Sequence, residues 1–280
     1  MSTFNESQNK KFRIELSEDK AKMALNRTQI KNAVEAAAKA GITSVKFIGC
    51  DPARYSALLS LVREIKKIDG IWEVSMTTDG HGLADKAKKL AAAGLDRVNI
   101  NVDTLKYAKY DGGDLDDIVA AINAATDAAL KPVKLNVVLK KEYSEEEIMD
   151  FVQLTLQHQY EIRFIEMTEQ EEAASRYEVL MCEDVKKRLS ALRIGIAEED
   201  GKPAESPRDG TADVYKYPGA RGKICFIEKR ASDFAERCAA LYLSAGGILK
   251  RDENDVDGID LSPVADDSEK IAEAVESLLK

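Results

Sequence analysis

The chain is expected to be an α/β protein: an incomplete (βα)6-type barrel, TIM-like in kind, with a small C-terminal α+β extension. Three observations predict this. Six short segments alternate apolar and polar residues with period two, as strands with unlike faces do. A helical pattern of apolar residues lies between each pair of them. The strand–helix order is strict, which implies parallel strands joined by right-handed crossovers. With 280 residues, the chain has room for one barrel-sized domain and an appendage. Six units are too few for the closed eight-unit form. An open doubly wound sheet is the rival architecture.

Taken in order, the strands are FRIEL (12–16), SVKFIG (44–49), WEVSMTT (72–78), RVNINVD (97–103), PVKLNVVL (132–139) and EIRFIEM (161–167). Helical patterns are expected at 27–40, 53–68, 84–93, 115–129 and 144–158. Gly41 and Gly94 follow two of these as stop residues, and Ser144 with Glu147 forms a capping box ahead of the last. After a helix near 183–192 the texture changes. GKPAESPRDG (201–210) is a polar loop, and VYKYP, KICFIEK and LYLSAGGILK read as short antiparallel strands with a hairpin at AGG. A final amphipathic helix spans 267–279. The barrel is thus expected over 10–192 and the C-terminal region over 193–280.

Composition narrows the function. A net charge of −9 argues against nucleic acid or an anionic membrane as partner. No stretch of about 18 apolar residues is present, and MSTFNESQNKK lacks the apolar core of a signal peptide. A cytoplasmic location is therefore expected. Cys50, Cys182, Cys225 and Cys238 show no CxxC spacing, so neither a disulfide framework nor a zinc ribbon is indicated; Cys50, His81, Asp51 and Asp79 near the strand ends have donors that suit zinc, but no fixed spacing supports a site. Cys50 and Cys225 read as packing residues, and His158, at a helix end, as a cap for carbonyls.

In a barrel one strand face packs on the helices while the other may be polar. Alternation places Arg13 and Glu15, Lys46, Lys134 and Asn136, Arg163, and Asn99, Asn101 and Asp103 on the polar side. Four cations on four strands can be neutralised in two ways. One is an internal ion-pair network using Glu15 and Asp103; the other is an anion site in which Arg13, Lys46, Lys134 and Arg163 meet phosphate or carboxylate groups. Two acids for four bases favours the anion site. Asp51, Asp79 and Glu166 fall at C-terminal strand ends, where barrel enzymes place their chemistry.

These segments together resemble the MoaA family, the radical-SAM GTP 3′,8-cyclases that begin molybdopterin synthesis, over about residues 12 to 250. MTTDGHGLADKAKKLAAAGLDRVNINVD is similar to that family's TTNG turn, helix and NVSLD strand. PVKLNVV and RFIEM match its VKLNVV and RFIEF segments, and FIGCDP stands where it has GGEP. The resemblance implies the radical-SAM kind of barrel and a link to molybdopterin synthesis. It also implies that Arg13, Lys46, Lys134 and Arg163 correspond to positions contacting the GTP phosphates.

The departures fall on the chemistry. The family holds a [4Fe–4S] cluster with C-x3-C-x2-C just after its first strand. Here SEDKAKMALNRTQIKNAV follows FRIEL, and no cysteine precedes Cys50. Of the C-terminal cluster's ligands only Cys238 stands, with Ala235 and Asp252 at the other positions. Cluster iron needs thiolates, so no cluster cofactor is expected. In the S-adenosylmethionine motifs Cys50 and Asp51 replace Gly and Glu, Asp79 replaces Asn and Asn101 replaces Ser. Thr77 and Thr78 are kept, and the changes weaken the expectation of that cofactor. The implied protein is a cluster-free binding or regulatory relative. Its expected ligand is a small anion, a purine nucleotide among the choices, held by the four cations. The polar residues Asp51, Thr77, Asp79, Asn101, Asp103 and Asn136 stand around it, and homo- or hetero-oligomers are open to it. The alternatives are a metal- or carboxylate-dependent hydrolase or lyase on a re-used barrel, and a structural partner of an active homologue.

Overall fold

A computed structural model describes residues 11–49, 51–106, 115–191, 197–198, 212–216, 219–234, 240–253 and 255–279. The chain divides into two compact units, 1–99 with 119–131 and 239–280, and 100–118 with 132–238. Each unit draws on segments from both sides of residue 192.

The first unit contains β1 (Lys11–Leu16), α1 (Arg27–Lys39), β2 (Ser44–Gly49), α2 (Leu58–Ile65), β3 (Glu73–Thr78), α3 (Ala87–Ala93) and the start of β4 (Arg97–Asn101). β1 pairs in parallel with β2, and β2 with β3, as the alternating pattern predicts. Asn26 opens α1 with a capping box closed by Gln29, which satisfies N–H groups the first turn cannot. Ile30, Ala33, Val34 and Ala37 recur at helical spacing on its buried side. Phe12, Ile14, Leu16, Val45, Phe47, Val74 and Met76 form the buried apolar faces of the strands. The helix expected at 53–68 is interrupted. Asp51 caps a 3-10 turn at Pro52–Arg54, Tyr55 is extended, and α2 starts only at Leu58.

The hairpin β10 (Ala240–Leu243) and β11 (Ile248–Lys250) is antiparallel, and β12 (Ile259–Asp260) extends it. β10 also pairs in parallel with β1, so it belongs to the same sheet as β1 to β3. The order is β12-β11-β10-β1-β2-β3-β4. The C-terminal helix, α8 (Ser268–Leu279), buries Ile271 and Val275 and packs against α1.

The second unit contains α4 in part (Leu115–Asp127), β5 (Lys134–Val138), α5 (Glu145–Gln157), β6 (Glu161–Ile165), α6 (Glu169–Ala174), α7 (Cys182–Ala191), β7 (Ala197–Glu198), β8 (Asp213–Lys216) and β9 (Lys223–Ile227). β5, β6 and β9 are parallel, whereas β8 runs antiparallel to β9 and β7 to β8. β9 therefore joins the parallel set, where the sequence reading had only antiparallel strands after residue 193. Parallel pairing suits its composition, because β9 is apolar on both faces. Phe164 stacks on Phe226 with centroids 5.7 Å apart and meets Phe151 of α5 edge-on. On the other face Cys225 and Ile227 pack with Val214. α5 begins with the predicted capping box of Ser144 and Glu147. Among the described residues no helix is long and apolar enough to cross a membrane.

Candidate functional site

The polar face of the first unit begins with a row set by strand register. Tyr242, Arg13, Lys46 and Ser75 are successive partners across β10, β1, β2 and β3. Because parallel partners point the same way, Arg13 and Lys46 stand side by side. The Arg13 guanidinium has its Nε buried without a hydrogen-bond partner among the described residues. Glu15, one step along the same face, does not neutralise it. Its Oε2 accepts from the Tyr242 hydroxyl at 2.9 Å and from the Ala245 amide at 3.0 Å, tying β1 to the β10–β11 hairpin. A second orphaned donor, Asn99 Nδ2, lies on the polar side of β4. Its Oδ1 accepts from Arg97 at 2.7 Å, and Arg97 also meets Glu73 at 2.5 Å. Arg97 and Glu73 were not among the residues singled out from the sequence, although their parity with Asn99 and Ser75 assigns them to this face.

In the second unit Lys134 and Glu161 are register partners, as are Asn136 and Arg163. Glu161 Oε1 lies 2.9 Å from Lys134 Nζ and 3.6 Å from Arg163 Nε, with all three side chains almost wholly buried. Glu161 is thus the acid that the count of Glu15 and Asp103 left out, and it serves two cations. Asn136 donates to Asn101 Oδ1 at 3.0 Å, while its own Oδ1 is buried without a hydrogen-bond partner among the described residues. Asp103, placed on the inward side by the sequence, has an exposed side chain that pairs with Lys140 at 3.4 Å. Glu166 is buried and accepts from the Cys182 amide at 2.8 Å, so it anchors the start of α7.

At the C-terminal ends of β2 and β3 a separate cluster forms. Asp51 is buried, and its Oδ1 accepts from the Thr78 hydroxyl at 2.7 Å and the Ala53 amide at 3.0 Å. Arg54 lies between the two acids, Nε 3.6 Å from Asp51 and Nη2 3.4 Å from Asp79. Asp79 Oδ1 accepts from the His81 amide at 2.9 Å, with the imidazole Nδ1 at 3.0 Å. Burial, then the hydrogen bond with Asp79, pushes the Asp51 carboxyl up to about 6. Burial would also raise Asp79, but its hydrogen bonds with Asp51 and His81 outweigh that and hold it below the usual range. Thr77 is half-buried on the polar face of β3, two residues past Ser75. Cys50 and Cys238 lie outside the described residues. No group of three or more metal-ligating side chains occurs among those described.

The Radical SAM superfamily matches residues 9–155, more than half the chain. The chain belongs to this superfamily. Its curated relatives include GTP 3′,8-cyclases. The chain is 34% identical over 217 residues to that of Peptoclostridium acidaminophilum, covering 75% of this chain and 64% of the relative. It is 33% identical over 243 residues to that of Alkaliphilus metalliredigens, covering 85% and 73%. The chain thus spans just under two thirds of the first relative's length. Among solved structures it is similar to SuiB of Streptococcus suis bound to S-adenosylmethionine. The TM-score is 0.66 at 12% identity, with 92% of this chain and 65% of that one covered. That likeness shows the fold.

Radical SAM chemistry rests on a thiolate-held cluster, so the donor set decides whether these residues suit one. The link from β1 to α1, Ser17 to Asn26, contains no thiol and is occupied by its own hydrogen bonds. Ser17 Oγ and Asp19 Oδ1 accept from the amides of Asp19 and Ala21, and the Ala24 amide donates to Ala245. Cys182 is buried with its Sγ near the Phe164 and Ile227 carbonyls, and burial pushes its thiol well up. Cys225 is buried among apolar side chains. The residues described do not fit the cluster.

Proposed function

We propose that this chain keeps the radical SAM fold without its radical chemistry and binds a small anionic ligand on the polar strand face. A nucleotide of the GTP kind fits the relatives' substrate, and the protein acts as a binding or regulatory component linked to molybdopterin biosynthesis. The observation that carries the reading is Arg13. A guanidinium Nε that is buried and has no hydrogen-bond partner among the described residues is costly unless an anion completes it. The orphaned donor Asn99 Nδ2 supports the same sign of ligand.

The link to molybdopterin synthesis comes from relatives that share 31 to 36% identity, and the loss of chemistry from the thiol-free link after β1. A thermal-shift panel of GTP, tripolyphosphate and guanosine tests the binding. Polyphosphate-bearing ligands should raise Tm, with stabilisation of about 2.7 kcal/mol at a hundredfold excess over Kd, and guanosine should do much less. Equal, negligible shifts for all three would refute the anion site.

A further inference from the structure

Asn99 differs from Arg13 in what its unmet donor can take. Arg97 Nη1 donates to Asn99 Oδ1 at 2.7 Å. Arginine has donors only, so this bond fixes which end of the carboxamide faces Arg97 and makes Nδ2 the other end. Asn99 is wholly buried, and Nδ2 has no hydrogen-bond partner among the described residues. The Ser75 hydroxyl of the neighbouring strand is turned to the Val45 carbonyl at 3.4 Å. Nδ2 therefore calls for an electronegative atom from outside the chain.

The charge around it narrows the choice. Arg97 meets Glu73 at 2.5 Å, so the group that orients the amide is electrically balanced. An anionic group brought to Nδ2 would lose its water with no cation there to replace it, whereas an uncharged acceptor loses little. Arg13 Nε is the opposite case: its donor sits on a permanent charge and suits an anion. β1 and β4 are three steps apart in the strand order, about 14 Å along the sheet. Arg13 and Asn99 both belong to the first unit, and at that spacing they meet different parts of a ligand.

We propose that Asn99, oriented by the Glu73–Arg97 pair, is a specificity residue that donates to an uncharged acceptor on a ligand whose anionic group lies at Arg13. The acceptor is a carbonyl oxygen, a ring nitrogen or a sugar oxygen. This rests on the anion reading above and sharpens it: the ligand class is a nucleoside phosphate and not a bare inorganic polyphosphate. Asn99 brings discrimination without charge, because a ligand that lacks the acceptor leaves a buried donor unpaired.

Calorimetric titration of wild type and Asn99→Leu with GTP and with tripolyphosphate is the test. Leucine is close to asparagine in size and removes the donor, and Arg97 keeps Glu73. The variant should lose about tenfold in GTP affinity, the value of one hydrogen bond, and less than about twofold for tripolyphosphate. Equal losses for the two ligands would make Asn99 part of the scaffold, and no loss for either would remove it from the site. Both results overturn the inference and leave the anion site standing, as does a wild type that binds tripolyphosphate and not GTP. A wild type that binds neither ligand refutes the anion reading itself, and this inference with it. Should Asn99→Leu fail to fold, the side-chain amide resonances of Asn99 in 15N-labelled wild type answer the same question. They should move downfield with GTP and stay in place with tripolyphosphate; the same response to both, or none to GTP, overturns the inference.

Discussion

Arg13 on β1 and Lys46 on β2 are register partners, so two cations stand together on the polar face of a parallel strand pair. Arg13→Met should therefore weaken binding of GTP or tripolyphosphate by about ten- to a hundredfold, the usual value of a charge-assisted hydrogen bond. The ligand-free variant should be as stable as wild type or more so, because a buried Nε without a hydrogen-bond partner among the described residues has been removed. Calorimetric titration and ligand-free melting check the two halves. Strong destabilisation with unchanged affinity would make Arg13 a structural residue.

Glu161 offers the opposite expectation. With Lys134 2.9 Å and Arg163 3.6 Å away, Glu161→Gln leaves two buried cations without that charge and should cost about 3 to 5 kcal/mol in urea unfolding. Lys134→Met should cost less, since Glu161 keeps Arg163. Equal losses in both variants would mean that the carboxylate does not balance two charges.

Gly49 has φ +121°, and a Cβ there would lie 2.2 Å from the Leu16 carbonyl oxygen. Both the left-handed conformation and the contact demand glycine, so Gly49→Ala should destabilise by about 2 kcal/mol or more. It should do so without altering anion affinity beyond that loss.

α6 buries no side chain; it is held by its Thr168–Glu171 capping box and by Lys229–Glu171 at 2.6 Å and Arg230–Glu172 at 2.5 Å. Burial would raise Glu171, but the Lys229 and Thr168 hydrogen bonds hold it below the usual range. The Val179 amide and Arg230 do the same for Glu172. Depressed carboxyls stabilise above their ordinary pKa and lose that effect as pH falls through the lower folded value. Protease cleavage within 169–175 should therefore increase below about pH 4.5 in wild type, and less so in a Glu171→Gln, Glu172→Gln double variant. Identical pH profiles would show that these pairs do not hold the helix.

Much of this was legible in the chain itself. The six strands, their parallel pairing within each unit and the capping of α5 follow from period-two alternation and the Ser144–Glu147 spacing. α6 was not legible, because a helix without a buried face leaves no apolar period. The partners of β9 and β10 were missed for another reason. Short strands carry no mark of which neighbour they will join, and each pairs in parallel on one side and antiparallel on the other. Within the site, parity alone placed Arg13, Lys46, Lys134 and Arg163 on the polar side. The same parity would have delivered Glu161, Glu73 and Arg97, had the first residue of each strand been counted. Asp103 misled because alternation ends where the strand does, and its side chain turns outward to Lys140.

The most direct test of the account is to reconstitute the anaerobically purified protein with iron and sulfide, remove the excess, and count both per chain. The link from Ser17 to Asn26 provides no thiolate, so the account predicts far less than one iron per chain and no cluster absorption in the visible range. Four irons and four sulfides per chain, with that absorption, would contradict it.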